Sequence, residues 1–213
     1  ANVLSACQSA GKHPIFHFDS VTDAPRSKRI LVLSVVHGDE PESGALAYRW
    51  TERLHRIESR NNWRMVPILN PDGMLQKSRL NGNAVDLNRN FPSKDWEQTA
   101  LKYWREHKGA DPRRFPGNTA GSEPETQCAM AQIADFRPDF VVAIHTPYGV
   151  LDFDGPRMTF PSVAQLPWTS LGTFPGSLGR YLWVDRTVPV LTIELKNASI
   201  LDHITHIEQL QDM

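Results

Sequence analysis

The apolar run from Ile30 to Val36 constrains the fold of this chain more than any other feature, because His37 follows it directly. A run dominated by Ile, Leu and Val is typical of a strand that is buried on both faces. Such strands belong to parallel sheets, and open α/β sheets bind ligands at the carboxyl ends of their strands. The pattern therefore predicts that His37, and Glu40 three residues later, lie at the ligand-binding edge of a sheet.

Segments with strand-like and helix-like patterns alternate along the rest of the chain. For example, apolar residues recur at helical spacing after Pro41, whose missing N–H suits the first turn of a helix. This alternation is typical of an α/β fold. We therefore predict a single domain, residues 1–213, built as a three-layer sandwich with a mixed, largely parallel central β-sheet flanked by helices. The predicted strands are 14–18, 29–36, 63–69, 139–145 and 189–195, and the predicted helices are 41–58, 93–107, 122–136 and 200–210.

The charge balance argues against two classes of function. The chain has 23 Lys and Arg against 24 Asp and Glu, whereas proteins that bind nucleic acids or anionic membranes carry a basic excess. No apolar stretch approaches the roughly 20 residues that a membrane-spanning helix needs. We therefore expect no nucleic-acid partner and no membrane span, and the sequence does not indicate an oligomeric state.

The two cysteines, Cys7 and Cys128, leave two alternatives open. They would form a disulfide in an oxidising compartment, and elsewhere they would be small buried apolar residues. The chain begins with Ala1 rather than Met, which favours an exported protein whose signal peptide has been removed. We therefore expect a periplasmic or otherwise exported location, with a cytoplasmic location as the alternative.

Three of the predicted strands lead to metal-binding residue types: His37 with Glu40, then His145, then Glu194. A single strand-end histidine usually just bonds to the backbone, but an ionisable group inside an apolar strand is costly unless it has a function. Two histidines and one carboxylate are typical ligands of a catalytic zinc ion with one open position. We predict that two histidines and one glutamate of this set bind one Zn²⁺, with the remaining carboxylate as a general base.

The segment from Ser78 to Pro92, SRLNGNAVDLNRNFP, adds a family resemblance to this pattern. Together with the His-x-x-Glu motif, the later histidine and the strand TIEL, it makes the chain resemble the zinc carboxypeptidase family. The resemblance extends over nearly the whole chain. The His-x-x-Glu motif alone is weakly specific, whereas the complete ordered set is strongly specific.

The resemblance implies a role for each matching residue, with His37, Glu40 and His145 as the ligands of one Zn²⁺. Glu194 would be the general base, and its burial would raise its pKa toward the working pH. Arg79 would stabilise the oxyanion of the tetrahedral intermediate. Asn88 and Arg89 would bind the free carboxylate of the substrate, which a planar guanidinium matches with two hydrogen bonds. Asp86 would accept a hydrogen bond from the first metal-binding imidazole.

Other stretches look similar to the bacterial murein peptide amidases of this family, namely HGDEPES, RFPGNTAGSEPETQ, GVLDFDGP and PGSLGRY. Those enzymes cut the bond between γ-D-glutamate and diaminopimelate, and the related LD-carboxypeptidases remove a terminal residue from a tetrapeptide. Asp152, Asp154 and Arg180 are candidates for binding the diaminopimelate side chain, although each could equally stabilise a loop. The mobile tyrosine of the digestive carboxypeptidases has no counterpart before Gly176, and neither Tyr148 nor Tyr181 has the right spacing.

We therefore predict a zinc-dependent metallopeptidase that hydrolyses an amide bond near the carboxy-terminus of peptidoglycan-derived peptides. The alternatives are a general carboxypeptidase, a deacylase like aspartoacylase or succinylglutamate desuccinylase, and a binding module without catalysis. The deacylases usually continue into a second β-rich domain, and the few residues after Glu194 disfavour them. A binding module predicts a substituted metal ligand or base, and none is substituted.

Overall fold

The structure of the protein is a computed structural model that describes residues 1–161, 166–196 and 211. Its sheet has the strand order β1-β3-β2-β4-β6-β5, in which β3, β2, β4 and β6 are parallel and the two edge strands are antiparallel to their neighbours. This mixed, largely parallel sheet confirms the predicted fold class. The strands are β1 (Phe18–Ser20), β2 (Arg29–Ser34), β3 (Asn62–Val66), β4 (Phe140–His145), β5 (Val150–Asp154) and β6 (Val190–Glu194). The helices are α1 (Pro41–Leu54), α2 (Pro71–Gln76), α3 (Trp96–His107) and α4 (Pro124–Phe136).

Each face of the sheet has its own hydrophobic core, because successive side chains of a strand point to opposite faces. Ile30 and Val32 of β2 pack in the same cluster as Leu46 and Trp50 of α1. Leu31, one residue along the strand, belongs to the other cluster, which also contains Cys128 and Ala129 of α4. The central strands are therefore buried on both faces, as their unbroken apolar runs predicted.

Most predicted elements are present with shorter boundaries, and two details of the sequence analysis were wrong. The segment 14–17 pairs only through isolated bridges, so β1 begins at Phe18. The predicted helix 122–136 begins two residues later, at Pro124, and Ser122 Oγ bonds to the side chains of Asn90 and Glu123. The edge strand β5 was not predicted at all. The predicted helix 200–210 lies outside the described residues.

Close backbone packing explains the glycine inside the His-x-x-Glu motif. A Cβ atom at Gly38 would lie only 2.0 Å from the backbone carbon of Gly73 in α2. Asn70 fixes this contact from the other side: its side chain accepts a hydrogen bond from the Gly73 N–H, and it donates to the carbonyl of Val36. The segment Asn70 to Gly73 thus supports the turn that carries His37.

A disulfide joins Cys7 to Cys128, with the two Cα atoms 4.5 Å apart. It fastens the amino-terminal segment to α4, and the same segment donates backbone hydrogen bonds from Ala10 to Glu125 and from Gly11 to Asp72. Of the two alternatives that the sequence left open, the structure contains the paired cysteines. Among the described residues, we find no helix with the length and apolar character to span a membrane.

Candidate active site

The ionisable residues that the sequence singled out meet at the carboxyl edge of the central strands. His37 lies in the turn after β2, and Glu40 directly precedes α1. His145 and Glu194 are the last residues of β4 and β6, and they are direct partners in the parallel register of these strands. The convergence follows from the topology, because neighbouring parallel strands end at the same edge of a sheet.

His37, Glu40 and His145 form a compact group, which we call the metal group. One ligand atom from each residue lies within 4.8 Å of the others. The two oxygens of Glu40 lie 2.8 Å from the Nδ1 atoms of His37 and His145, respectively. Two imidazole nitrogens and a carboxylate, all buried, are a donor set that suits a divalent metal ion with an open coordination position.

The electrostatics of the metal group favour an ionised carboxylate. Burial acts to raise the pKa of Glu40, but the adjacent imidazoles of His37 and His145 outweigh it, and the pKa lies well below its usual range. Burial acts to lower the pKa of His37, yet the carboxylates of Glu40 and Asp86 raise it overall. The charges of this group are therefore balanced by each other within a few ångströms.

Asp86 and Arg79 enclose the metal group from the loop before α3. Asp86 is fully buried, and its Oδ1 lies 3.3 Å from Nε2 of His37, as predicted for a carboxylate that orients a metal-binding imidazole. Arg79 donates from Nε and Nη2 to Oδ2 of Asp86, at 3.0 and 2.9 Å, and its Nη1 lies 3.2 Å from Nδ1 of His37. The carboxylate of Asp86 thus contacts both Arg79 and His37 and holds Arg79 next to the metal group.

Glu194 lies beside the metal group but takes no part in it. Only 7% of the residue is exposed, and its Oε2 has no hydrogen-bond partner among the described residues. Burial raises its pKa, although the nearby His145 opposes this effect. A general base in a closed site needs a carboxyl group with a raised pKa and an oxygen that is not already hydrogen-bonded, and Glu194 has both properties.

Asn88 and Arg89 are positioned by the loop that precedes Arg180. Oδ1 of Asn88 accepts a hydrogen bond of 2.8 Å from the N–H of Leu178. Gly176 has a positive φ of 77°, and a Cβ atom there would lie 1.9 Å from the carbonyl oxygen of Arg89. Glycine is therefore required at this position, and the PGSLG sequence is needed to hold the Asn-Arg pair in place.

Arg89 is a buried cation without an ion pair. The residue is 8% exposed, and no carboxylate among the described residues lies within ion-pair distance of it. Its guanidinium packs over the ring of Phe174 and donates to the carbonyl of Asn88. Burial lowers its pKa, and the charges of Arg79 and Arg114 act in the same direction. Such a group is stable only with an anion nearby, so the site is suited to bind one.

The metal group opens into a cavity of about 660 Å³, which we call the cleft. Asp152 and Asp154 of β5 line it, and we call this pair the acidic floor. Burial raises the pKa of both carboxyl groups, and the added charge of Asp152 raises that of Asp154 to about 6. Asp152 accepts backbone hydrogen bonds, but neither carboxyl group has a cation partner among the described residues.

The structure does not place Arg180 in the cleft, where the sequence analysis expected it. Its Nε and Nη2 atoms donate to the two oxygens of Asp95, at 2.9 and 2.5 Å, and it is not among the cleft-lining residues. The ion pair with Asp95 therefore fixes Arg180 outside the set of residues that line the cleft. Of the two tyrosines considered, Tyr148 lines the cleft, whereas Tyr181 is buried against Phe91.

Arg113 and Arg114 are cleft residues that the sequence analysis did not identify. They reach the cleft from a 3₁₀ turn, and Arg113 pairs with Asp39 inside the His-x-x-Glu motif. This pairing spans 74 positions and leaves no local signal. Asp154, which the sequence analysis named together with Asp152, follows it at the spacing of two that places both on one face of β5.

Comparisons with known proteins agree with this geometry. The family described as succinylglutamate desuccinylase/aspartoacylase catalytic domain matches residues 26–112, less than half of the chain. Murein peptide amidase A of Escherichia coli K12 is 34% identical over 161 residues, which cover 71% of this chain and 64% of that protein. The crystal structure of the murein-tripeptide amidase MpaA from E. coli O157 has a TM-score of 0.71 at 26% identity, covering 95% of this chain and 87% of that one.

In sequence, the chain is similar to murein peptide amidases. Its fold is shared with a more distant protein, the carboxypeptidase A of Helicoverpa armigera, which has a TM-score of 0.67 at 19% identity, covering 91% of this chain and 59% of that one. The chain spans slightly less than two thirds of the E. coli K12 amidase that it matches.

Proposed function

We propose that the protein is a zinc-dependent metallopeptidase that hydrolyses an amide bond near the carboxy-terminus of peptidoglycan-derived peptides. The bond would be that between γ-D-glutamate and diaminopimelate, or the terminal bond cut by an LD-carboxypeptidase. The observation that carries the proposal is the presence of the metal group and the unpaired Arg89 in one cleft. The names of the murein peptide amidases support the choice of substrate.

Zinc is the metal that the donor set supports. His37 and His145 offer imidazole nitrogens and Glu40 a carboxylate, and Zn²⁺ prefers such ligands with one position left open. Bound there, zinc would supply a Lewis acid that polarises the scissile carbonyl and makes a water molecule more acidic. Asp86 would fix the ring orientation of His37 through its contact with Nε2.

Glu194 and Arg79 would perform the chemistry beside the metal group. The carboxylate of Glu194 would accept a proton from the attacking water and deliver it to the leaving amine, and its raised pKa suits both transfers. Arg79, fixed by two hydrogen bonds to Asp86, would donate to the oxyanion that develops on the carbonyl. Because Arg79 is held before substrate arrives, little reorganisation is needed during the reaction.

Asn88 and Arg89 would bind the terminal carboxylate of the substrate. The buried cation of Arg89 pairs with no carboxylate among the described residues, and a substrate carboxylate would complete its hydrogen bonding in the bidentate geometry that guanidinium groups favour. This contact places the end of the peptide at a fixed distance from the metal group. It therefore selects a bond near the carboxy-terminus.

Asp152 and Asp154 would bind the ammonium group of the diaminopimelate side chain. Asp152 is buried and Asp154 is half-buried, and neither has a cation partner among the described residues. Burial raises the pKa of Asp154, and repulsion by the charge of Asp152 raises it further. An ammonium group between them would relieve this repulsion. The acidic floor thus favours a terminal residue with a cationic side chain over an apolar one.

The proposal is tested by incubating the purified protein with defined muropeptide tri-, tetra- and pentapeptides and weighing the products by mass spectrometry, with metal analysis of the same sample. We expect one zinc ion per chain and a product that identifies the scissile bond. Chelation should abolish hydrolysis and added zinc should restore it. The absence of zinc, or of a product from every muropeptide, would contradict the proposal.

A deacylase is the second candidate, because the matched family profile is that of the desuccinylase and aspartoacylase catalytic domain. Its match includes two of the metal ligands and Arg89 but ends before His145, so it does not distinguish the two activities. Incubation with N-acetylaspartate and N-succinylglutamate provides the comparison. Hydrolysis of either compound faster than any muropeptide would favour the deacylase.

We also propose that the protein works in an oxidising, extracytoplasmic compartment. The buried disulfide between Cys7 and Cys128 supports this location, because such bonds are rare in reducing compartments. Fractionation of the native organism, followed by thiol labelling of the denatured protein, tests it. Export predicts that neither cysteine is labelled unless a reductant is added first.

A further inference from the structure

The basic residues of the cleft all come from the segment between α2 and α4. They are Arg79, Arg89, Arg113 and Arg114. This segment contacts the turn after β2, where Arg113 pairs with Asp39. The acidic floor belongs to β5, at one end of the sheet order, and two strands, β4 and β6, separate it from β2.

Two of these arginines have no role in the proposed reaction. Arg113 and Arg114 end the 3₁₀ turn Pro112–Arg114 and line the cleft, and we call them the basic rim. Arg113 donates from Nη2 to Oδ2 of Asp39 at 2.5 Å, which anchors it to the metal-binding motif. The other oxygen of Asp39 is buried and has no hydrogen-bond partner among the described residues.

Arg114 is held less firmly than Arg113. Its nearest described carboxylate is Asp111, at 3.6 Å, and both side chains are about two-fifths exposed, at 38% and 42%. An exposed pair at this distance contributes little to stability, so the guanidinium is available to a better anion. Arg114 also lies close enough to Arg89 for its charge to lower the pKa of Arg89. The guanidinium groups of Arg89 and Arg114 therefore provide two separate positive charges that lie near each other.

We propose that the basic rim binds a second carboxylate of the substrate, on the acyl side of the scissile bond. The inference rests on the proposed function, which assigns the terminal carboxylate to Arg89 and the cationic side chain to the acidic floor. Those contacts place the terminal residue toward β5. The acyl residue then lies toward the turn after β2, where Asp39 anchors Arg113.

The chemistry of a γ-linked glutamyl residue fits this position. When glutamate is joined through its side-chain carboxyl group, its α-carboxylate stays free, close to the bond that is cut. An α-linked peptide has no carboxylate there. The basic rim would thus select γ-linked over α-linked peptides through charge-assisted hydrogen bonds that only the former can accept.

A pair of substrates that differ in one group tests the inference. The first is the tripeptide L-Ala-γ-D-Glu-diaminopimelate, and the second carries D-isoglutamine, whose α-carboxylate is an amide. We expect the protein to hydrolyse the first with a kcat/KM about tenfold higher, the size of a partly exposed charge-assisted hydrogen bond. Arg114→Gln should remove this preference by raising the KM for the first substrate alone.

Arg113→Gln and a distant control complete the design. Arg113→Gln should also reduce the preference, and Arg113→Lys should restore part of it while zinc content stays unchanged. Arg105→Gln, an exposed position on α3 that does not line the cleft, should leave both substrates unaffected. If the unmodified protein hydrolysed both substrates equally, the proposal for the basic rim would be wrong. It would also be wrong if Arg114→Gln lowered the kcat/KM equally for both substrates. Hydrolysis of neither tripeptide, with release of the terminal residue from a tetrapeptide, would place the scissile bond elsewhere and so overturn the proposal for the basic rim. Hydrolysis of no tri-, tetra- or pentapeptide would instead overturn the proposed function.

Discussion

The metal group and the acidic floor line the same cleft but differ in how their charges are balanced. In the metal group, both oxygens of Glu40 contact imidazoles. In the acidic floor, Asp152 and Asp154 face the cleft without a cation partner among the described residues. The first arrangement is balanced by groups within the protein, whereas the second has no balancing charge among the described residues. Changes in the metal group should therefore affect the rate of reaction, and changes in the floor should affect the choice of substrate.

The largest effect is expected from His145→Ala. This change removes one of three metal ligands and leaves Glu40 with an uncompensated oxygen, so we expect loss of the metal. Losing several kcal/mol of transition-state stabilisation corresponds to about a ten-thousandfold or greater fall in kcat. Metal content by atomic spectroscopy and turnover of the tripeptide measure the two quantities. A variant that retains both zinc and activity would show that the metal group is not the catalytic centre.

Glu194→Gln separates catalysis from metal binding. Glutamine has nearly the same shape but cannot accept a proton at working pH, so kcat should fall by about a thousandfold, within the usual range for a general base. Because Glu194 makes no hydrogen bond to the metal group, zinc content should not change. A kcat within a few fold of the unmodified value would remove Glu194 from the role of base.

Arg89→Gln, compared with Arg180→Gln, sharpens the contrast between partnered and unpartnered groups. Arg89 has no carboxylate partner among the described residues. Its replacement should therefore raise the KM for a peptide with a free carboxy-terminus by about 10- to 100-fold. The KM for a peptide with a terminal amide should rise less. Arg180 is paired with Asp95, so its replacement should leave KM unchanged. If Arg180→Gln raised the KM and Arg89→Gln did not, Arg180 would be the arginine that binds the substrate.

The sequence predicted the metal group well because its residues directly follow or end apolar runs. These runs mark the ends of β2, β4 and β6, and neighbouring parallel strands end at the same edge of a sheet. For this reason His37, His145 and Glu194 lie close together. The sheet itself was predictable for the same reason. Each central strand is buried on both faces and therefore lacks polar interruptions.

The rest of the cleft was harder to predict because its contacts are long-range or its strand is not apolar. In β5, Asp152 and Asp154 alternate with Leu151 and Phe153, so the segment lacks the apolar run that marks a buried strand. The pair between Arg180 and Asp95 joins residues 85 positions apart, a distance at which spacing carries no information. Residues whose partners come from elsewhere in the fold could be recognised only in the structure.

The smallest effect concerns the proton of Asp154. Burial and the charge of Asp152 raise its pKa to about 6. Only the ionised carboxylate attracts an ammonium group, so below this pH each bound cation must displace one proton, and affinity should fall by up to about tenfold per pH unit.

The measured quantity is the ratio of kcat/KM for a peptide ending in lysine to that for one ending in norleucine, because pH effects on the metal group and Glu194 cancel in this ratio. Asp154→Asn should lower the ratio and flatten its pH dependence, whereas Asp152→Asn, which removes the neighbouring charge, should move the inflection to lower pH. A ratio that is independent of pH in the unmodified protein would show that the acidic floor does not bind the cation.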